Sequence, residues 1–82
     1  MNHERFLLDT AFVQALLNKR DQHHNQARSF LPRLRSAQEV WVTEAVLVEI
    51  GNALSAYNRA GAVQFINLCY NTSNINVVTV DT

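Results

Sequence analysis

Residues 4–17 read Glu-Arg-Phe-Leu-Leu-Asp-Thr-Ala-Phe-Val-Gln-Ala-Leu-Leu, and this stretch decides the fold class. Phe6-Leu7-Leu8 is a continuous apolar run, the pattern of a short strand covered on both faces, so a strand is predicted over about 4–9. Asp9 closes the run. Thr10 is a favoured helix cap, and beyond it Val13, Leu16 and Leu17 fall on one side of a helix predicted over 11–20. An apolar strand leading straight into an amphipathic helix is the opening of a strand–helix–strand unit.

Working outward, a second helix over 22–36 places Ala27, Phe30, Leu31 and Leu34 at i, i+3, i+4 and i+7. Pro32 removes a donor inside it and predicts a kink or an early end. Val40-Trp41-Val42 is β-branched and aromatic, a second strand. Thr43 then caps a helix with Glu44 in its first turn, where the helix dipole favours negative charge, and Leu47, Ile50 and Leu54 form its apolar stripe. Gly61 is the strongest break before a helix over 62–72, with Val63, Ile66, Cys69 and Tyr70 expected inward. Asn71-Thr72-Ser73-Asn74 is a turn cluster, and Ile75 to Val80 reads as a third strand. The order is β-αα-β-αα-β, an α/β chain. Crossovers of this length suit parallel strands and are right-handed almost without exception.

Composition agrees with one small folded domain. The 82 residues are 48% apolar and 17% charged, with two Gly and one Pro, which excludes intrinsic disorder. No apolar run approaches the ~18–20 residues of a membrane span. A lone cysteine, Cys69, makes no internal disulfide, and the polar Met1-Asn2-His3-Glu4 opening is no secretory leader, so the expected location is the cytoplasm. The formal net charge is zero, so no global field recruits nucleic acid. Its distribution is uneven: residues 1–35 hold six of the seven cations and three acids, while residues 36–82 hold one cation and four acids. That asymmetry is either two differently solvated helix faces or a basic wall beside an acidic site.

In an open parallel sheet, functional groups gather outside the carboxyl ends of the strands. Asp9 stands there, either as a ligand for a divalent cation or as the cap of the first helix. Glu49 lies at the margin of the Leu47/Ile50/Leu54 stripe, flanked by Ala45 and Ala53. It is either a rim charge or the second carboxylate of a Mg²⁺ site, which would lower the pKa of a bound water and stabilise charge on a phosphate. His23 and His24 are adjacent and diverge by about 100° on a helix, so they read as a solvated face. Cys69 reads as an inert core thiol, Trp41 and Phe30 as core aromatics, and no Gly-rich phosphate loop is present.

The segment FLLDTAF, followed some forty residues later by TEAVLVEIGNAL, resembles the opening of a PIN domain, the metal-dependent ribonuclease fold common in the toxins of prokaryotic toxin–antitoxin pairs. Asp9 and Thr10 match the family's strand-Asp-Thr opening, Glu49 matches its helical Glu, and INVVTVDT resembles its third strand. The resemblance covers nearly all of this chain but only the first two-thirds of a PIN domain of about 120–140 residues. It implies a three-stranded parallel sheet with helices on both faces. Asp9 and Glu49 become catalytic metal-site acids for Mg²⁺ or Mn²⁺, with Thr10 orienting them. Arg20, Arg28, Arg33 and Arg35 become contacts to RNA backbone. The family's later aspartates have no counterpart here. Asp81 does not replace them, since with the second strand between the first and third it stands ~10 Å from Asp9.

Two functions follow from the resemblance: a Mg²⁺-dependent endoribonuclease of the toxin type, weakly active or inactive for want of acids, or a non-catalytic PIN remnant that binds itself or a partner. An antitoxin protein is the implied partner. The family's pairing of the first strand with a later one implies a homodimer through an exposed first strand.

Overall fold

A computed structural model describes residues 3–56 and 58–79. The chain runs β1 (Arg5–Leu7), α1 (Thr10–Leu17), α2 (His24–Ser29), α3 (Leu31–Ser36), β2 (Glu39–Thr43), α4 (Glu44–Leu54), α5 (Arg59–Asn71) and β3 (Ile75–Val78). All three strands are parallel in the order β1-β2-β3. Phe6 stands opposite Val40 and Val42 opposite Val77. The α/β class, the three parallel strands and the central second strand are those expected, while the first crossover holds three helices where two were expected. Val80 and Asp81 lie outside the described residues.

Side chains alternate across the sheet, and the register sorts them into two faces. Phe6, Leu8, Val40, Val42, Ile75 and Val77 share one face and join the core with Val13 of α1, Leu47, Ile50 and Leu54 of α4, and Ala62 and Cys69 of α5. Val13, Val42, Ile50 and Leu54 are wholly buried. Leu7 and Trp41 share the opposite face, where Leu7 is 72% exposed. There Arg5 Nε lies 3.6 Å from Glu39, and Trp41 Nε1 donates to the same carboxylate.

Within the described residues the helices thus cover one face of the sheet rather than both. Both crossovers step in the same direction, from β1 to β2 and from β2 to β3, and right-handed connections in one direction place their helices on one side.

Local chemistry also departs from the sequence reading at three points. Asp9, not Thr10, caps α1: its backbone is extended and its carboxylate accepts from the Phe12 amide at 2.7 Å. The helix expected over 22–36 divides at Phe30, with Pro32 in the first turn of α3, where its missing N–H costs nothing. Gly61 is no break. α5 begins at Arg59 with Asn58 as cap, and the Asn58 side chain accepts from the Gly61 amide and donates to the Leu17 carbonyl. That position needs glycine because a Cβ would come within 2.4 Å of the Asn58 amide. Starting the helix there rotates its buried stripe to Ala62, Phe65, Ile66 and Cys69, leaving Val63 and Tyr70 outside, 51% and 59% exposed.

Candidate functional site

β1 and β2 are neighbours in a parallel sheet, so the helices that follow them, α1 and α4, start from the same edge and pack against one another. Asp9 and Thr10 occupy the β1–α1 junction. Asp9 is exposed, and one of its carboxylate oxygens is held by the Phe12 amide. Three to four such orphan amides begin every helix, and the positive end of the helix dipole favours the charged carboxylate.

Glu49 reaches the same junction from α4. Ile50, the next residue, is fully buried against the sheet, which fixes the rotation of α4 about its axis. Glu49 then emerges at the rim of the core, where its Oε2 accepts the Thr10 hydroxyl at 2.5 Å. This hydrogen bond spans 39 residues of sequence and joins the first turn of α1 to the middle of α4. Thr10 and Glu49 are therefore in contact, and Asp9 is the residue that precedes Thr10. Each carboxylate keeps oxygen lone pairs beyond those engaged here, and a carboxylate has about four acceptor sites.

The donor set is that of a hard cation: exposed carboxylate oxygen with access to water. No group of three or more His, Cys, Asp or Glu side chains that could hold a metal occurs among the described residues. Asp81 lies outside those residues.

The expected arginines have separate surroundings. Arg33 donates to the Glu4 carboxylate and stands over the Phe6 and Phe30 rings, 5.5 and 5.4 Å from their centroids. The Glu4 hydrogen bond and charge push its pKa up. Arg20 lines a cavity of about 640 Å³ with Lys19 and Asn58 at the far end of α1 from Asp9. Arg28 is in the last turn of α2, and Arg35 borders an apolar groove between α3 and α5.

The histidines part company. His24 Nδ1 lies 2.9 Å from the Ala15 carbonyl, tying α2 to α1. His23 instead lines a cleft of about 300 Å³ between α1 and α2 that opens beside Asp9 and is walled by Phe12 and Phe30. Those two rings meet edge to face at 6.2 Å. Sequence spacing alone hid this, because it depends on how α2 folds back on α1. Cys69 is buried, and burial pushes its thiol up to about 11, so it stays protonated and unreactive at neutral pH.

No family model matches the sequence, and no curated protein matches it. Among solved structures, the chain superimposes with a TM-score of 0.74 on VapC20 of Mycobacterium tuberculosis, a toxin that cleaves the sarcin–ricin loop. The fold is that of a VapC toxin, PIN-like. Identity is 22%, and the match covers 96% of this chain but 58% of VapC20, so the chain spans little more than half the length of that toxin. The fold implied by FLLDTAF and TEAVLVEIGNAL is thereby met; what VapC20 does is a property of VapC20.

Proposed function

We propose that this chain carries the Asp9–Glu49 part of a PIN-type ribonuclease site, with Mg²⁺ or Mn²⁺ as its ion. The supporting observation is the Thr10–Glu49 hydrogen bond, which holds a glutamate from a second helix against the residue that follows the helix-cap Asp9, at the carboxyl edge of the sheet. Mg²⁺ is habitually held by one or two carboxylates with water completing its shell, and these two suit it. When bound, such an ion acidifies a water and offsets charge on a phosphate.

The chain's own residues do the positioning. The Phe12 amide holds the Asp9 carboxylate at a fixed rotamer, and Thr10 does the same for Glu49, acting through that carboxylate rather than on substrate. Two acids make a weak site, with metal affinity no better than millimolar. Arg20, Arg28 and Arg35 supply salt-dependent contacts to an RNA backbone, and Arg33 adds to them from its place beside Glu4. The apolar groove between α3 and α5, about 360 Å³ and floored by Leu8, Val40 and Ile75, is a place for an antitoxin segment. No helix among the described residues is long and apolar enough to cross a membrane.

The test is cleavage of a single-stranded RNA by purified protein beside Asp9→Ala, with Mg²⁺ or Mn²⁺. Slow cleavage that requires the metal and is lost in Asp9→Ala supports the reading. Metal-independent cleavage, or cleavage equal in both proteins, overturns it. A second reading, a non-catalytic self-associating module, is favoured by the exposed Leu7 on the β1 edge.

A further inference from the structure

The cleft between α1 and α2 opens beside Asp9 and is shaped for a flat apolar body with a polar edge. Its volume is about 300 Å³, and the rings of Phe12 and Phe30 wall it. Phe30, expected in the core, is only half-buried, as is Phe12. Ala15 and Ala27 are buried and line the cleft without filling it. Its neutral polar groups are His23 and Gln26, three residues apart at the start of α2, and both are exposed. His23 Nε2 stands 3.3 Å from the Gln22 side chain, which leaves Nδ1 for another partner. The side-chain amide of Gln26 has no hydrogen-bond partner among the described residues.

Continuity with Asp9 says what fits there. Asp9 itself lines the cleft, so a phosphate held at that carboxylate through a cation lies at its mouth. The base on the same stretch of backbone then stands beside two aromatic rings. Unpaired RNA bases are recognised by lying against aromatic side chains and hydrogen-bonding along their edges. A glutamine amide offers a donor and an acceptor side by side, the match of adenine's N7 and N6. Whatever admits RNA to Asp9 also admits a base to the cleft, because the two share one opening. We propose that this cleft seats an unpaired adenine next to the phosphate at Asp9, with Phe12 and Phe30 against its ring and Gln26 and His23 on its edge. The ligand class rests on the ribonuclease reading, whereas the pocket is formed by residues 9–30 alone.

The experiment reads binding rather than cleavage. Short single-stranded oligoadenylate, oligouridylate and an abasic ribose-phosphate chain of equal length are titrated with the protein in metal-free buffer of low salt, followed by fluorescence anisotropy. Wild type is expected to bind oligoadenylate about tenfold tighter than the abasic chain, within the range that a base on an aromatic surface contributes, and tighter than oligouridylate. Gln26→Ala and His23→Ala replace exposed side chains and are expected to keep the circular dichroism spectrum. Each is expected to shrink the oligoadenylate advantage at least threefold while leaving the abasic chain's affinity unchanged, which a merely structural role would not do. Equal affinity for the three chains overturns the proposal, as does undetectable binding of oligoadenylate or an advantage that survives both substitutions. Base-dependent binding without metal-dependent cleavage keeps the cleft and removes the ribonuclease reading. Metal-dependent cleavage with no base-dependent binding does the reverse.

Discussion

The two strand–helix junctions at the carboxyl edge of the sheet solve the same local problem with different residues. At β1–α1, Asp9 is extended and its carboxylate receives the Phe12 amide at 2.7 Å. At β2–α4, Thr43 is extended and its hydroxyl receives the Val46 amide at 3.2 Å. Either cap satisfies one orphan donor, and as helix starts they are near equivalents. They differ in what lies next to them. Thr10 follows Asp9 and reaches Glu49 on another helix, whereas Glu44 follows Thr43 and stands exposed in its own first turn. A cap residue by itself is ordinary; convergence with a carboxylate from a different element marks the first junction as the candidate site.

The substitution with the largest expected effect breaks both junctions together. Ile50 is wholly buried beneath α4 and sets the direction of Glu49. Ile50→Ala is expected to lose roughly 2–5 kcal/mol in chemical denaturation, a large part of the stability of a domain this size. A midpoint unchanged from wild type would mean that α4 is rotated from the orientation described.

Substitutions at the caps separate structure from chemistry. Asp9→Ala and Thr43→Ala are each expected to cost about 1 kcal/mol, the usual worth of a cap. Asp9→Asn keeps a good capping group and is expected to unfold within a few tenths of a kcal/mol of wild type, while removing the charge that a metal needs. Thermal or urea melts of the three variants compare the junctions directly. An Asp9→Asn protein as unstable as Asp9→Ala would show that the charge, not the cap, supports the fold.

A third cap sharpens the contrast through two glycines. Gly61 is hemmed in by the Asn58 side chain, which two hydrogen bonds hold in place, whereas Gly51 in α4 has nothing within 4 Å of an added Cβ. Gly51→Ala is expected to stabilise by up to about 1 kcal/mol, the helix preference for alanine. Gly61→Ala is expected to have the opposite sign, losing about 0.5–1 kcal/mol because displacing Asn58 gives up a cap. Paired melts read the two signs, and equal signs would refute the Asn58 cap.

Much of this was legible in the sequence, for reasons that differ by element. β1 and β2 announce themselves because Phe6-Leu7-Leu8 and Val40-Trp41-Val42 are dense in strand-forming residues. Their flanking Asp9 and Thr43 are short polar residues of the kind favoured at helix starts. Glu49 could be singled out because helical spacing places it beside Leu47 and Ile50. The phase of α5 was not legible: Asn58, rather than Gly61, sets its start, and only the contact with the Leu17 carbonyl shows why. Nor was the one-sided helical layer, which depends on the direction of both crossovers. The fate of Arg33 is tertiary as well, since Glu4 and two aromatic rings hold it only after α3 has packed beside β1.

The most direct test of the central claim, that Asp9 and Glu49 share one ion, is a Mn²⁺ titration followed by water-proton relaxation in wild type, Asp9→Asn, Glu49→Gln and Thr43→Ala. The account predicts millimolar binding in wild type and Thr43→Ala, with at least a tenfold loss in both Asp9→Asn and Glu49→Gln while each stays folded. Binding that survives either carboxylate substitution at wild-type strength would contradict it.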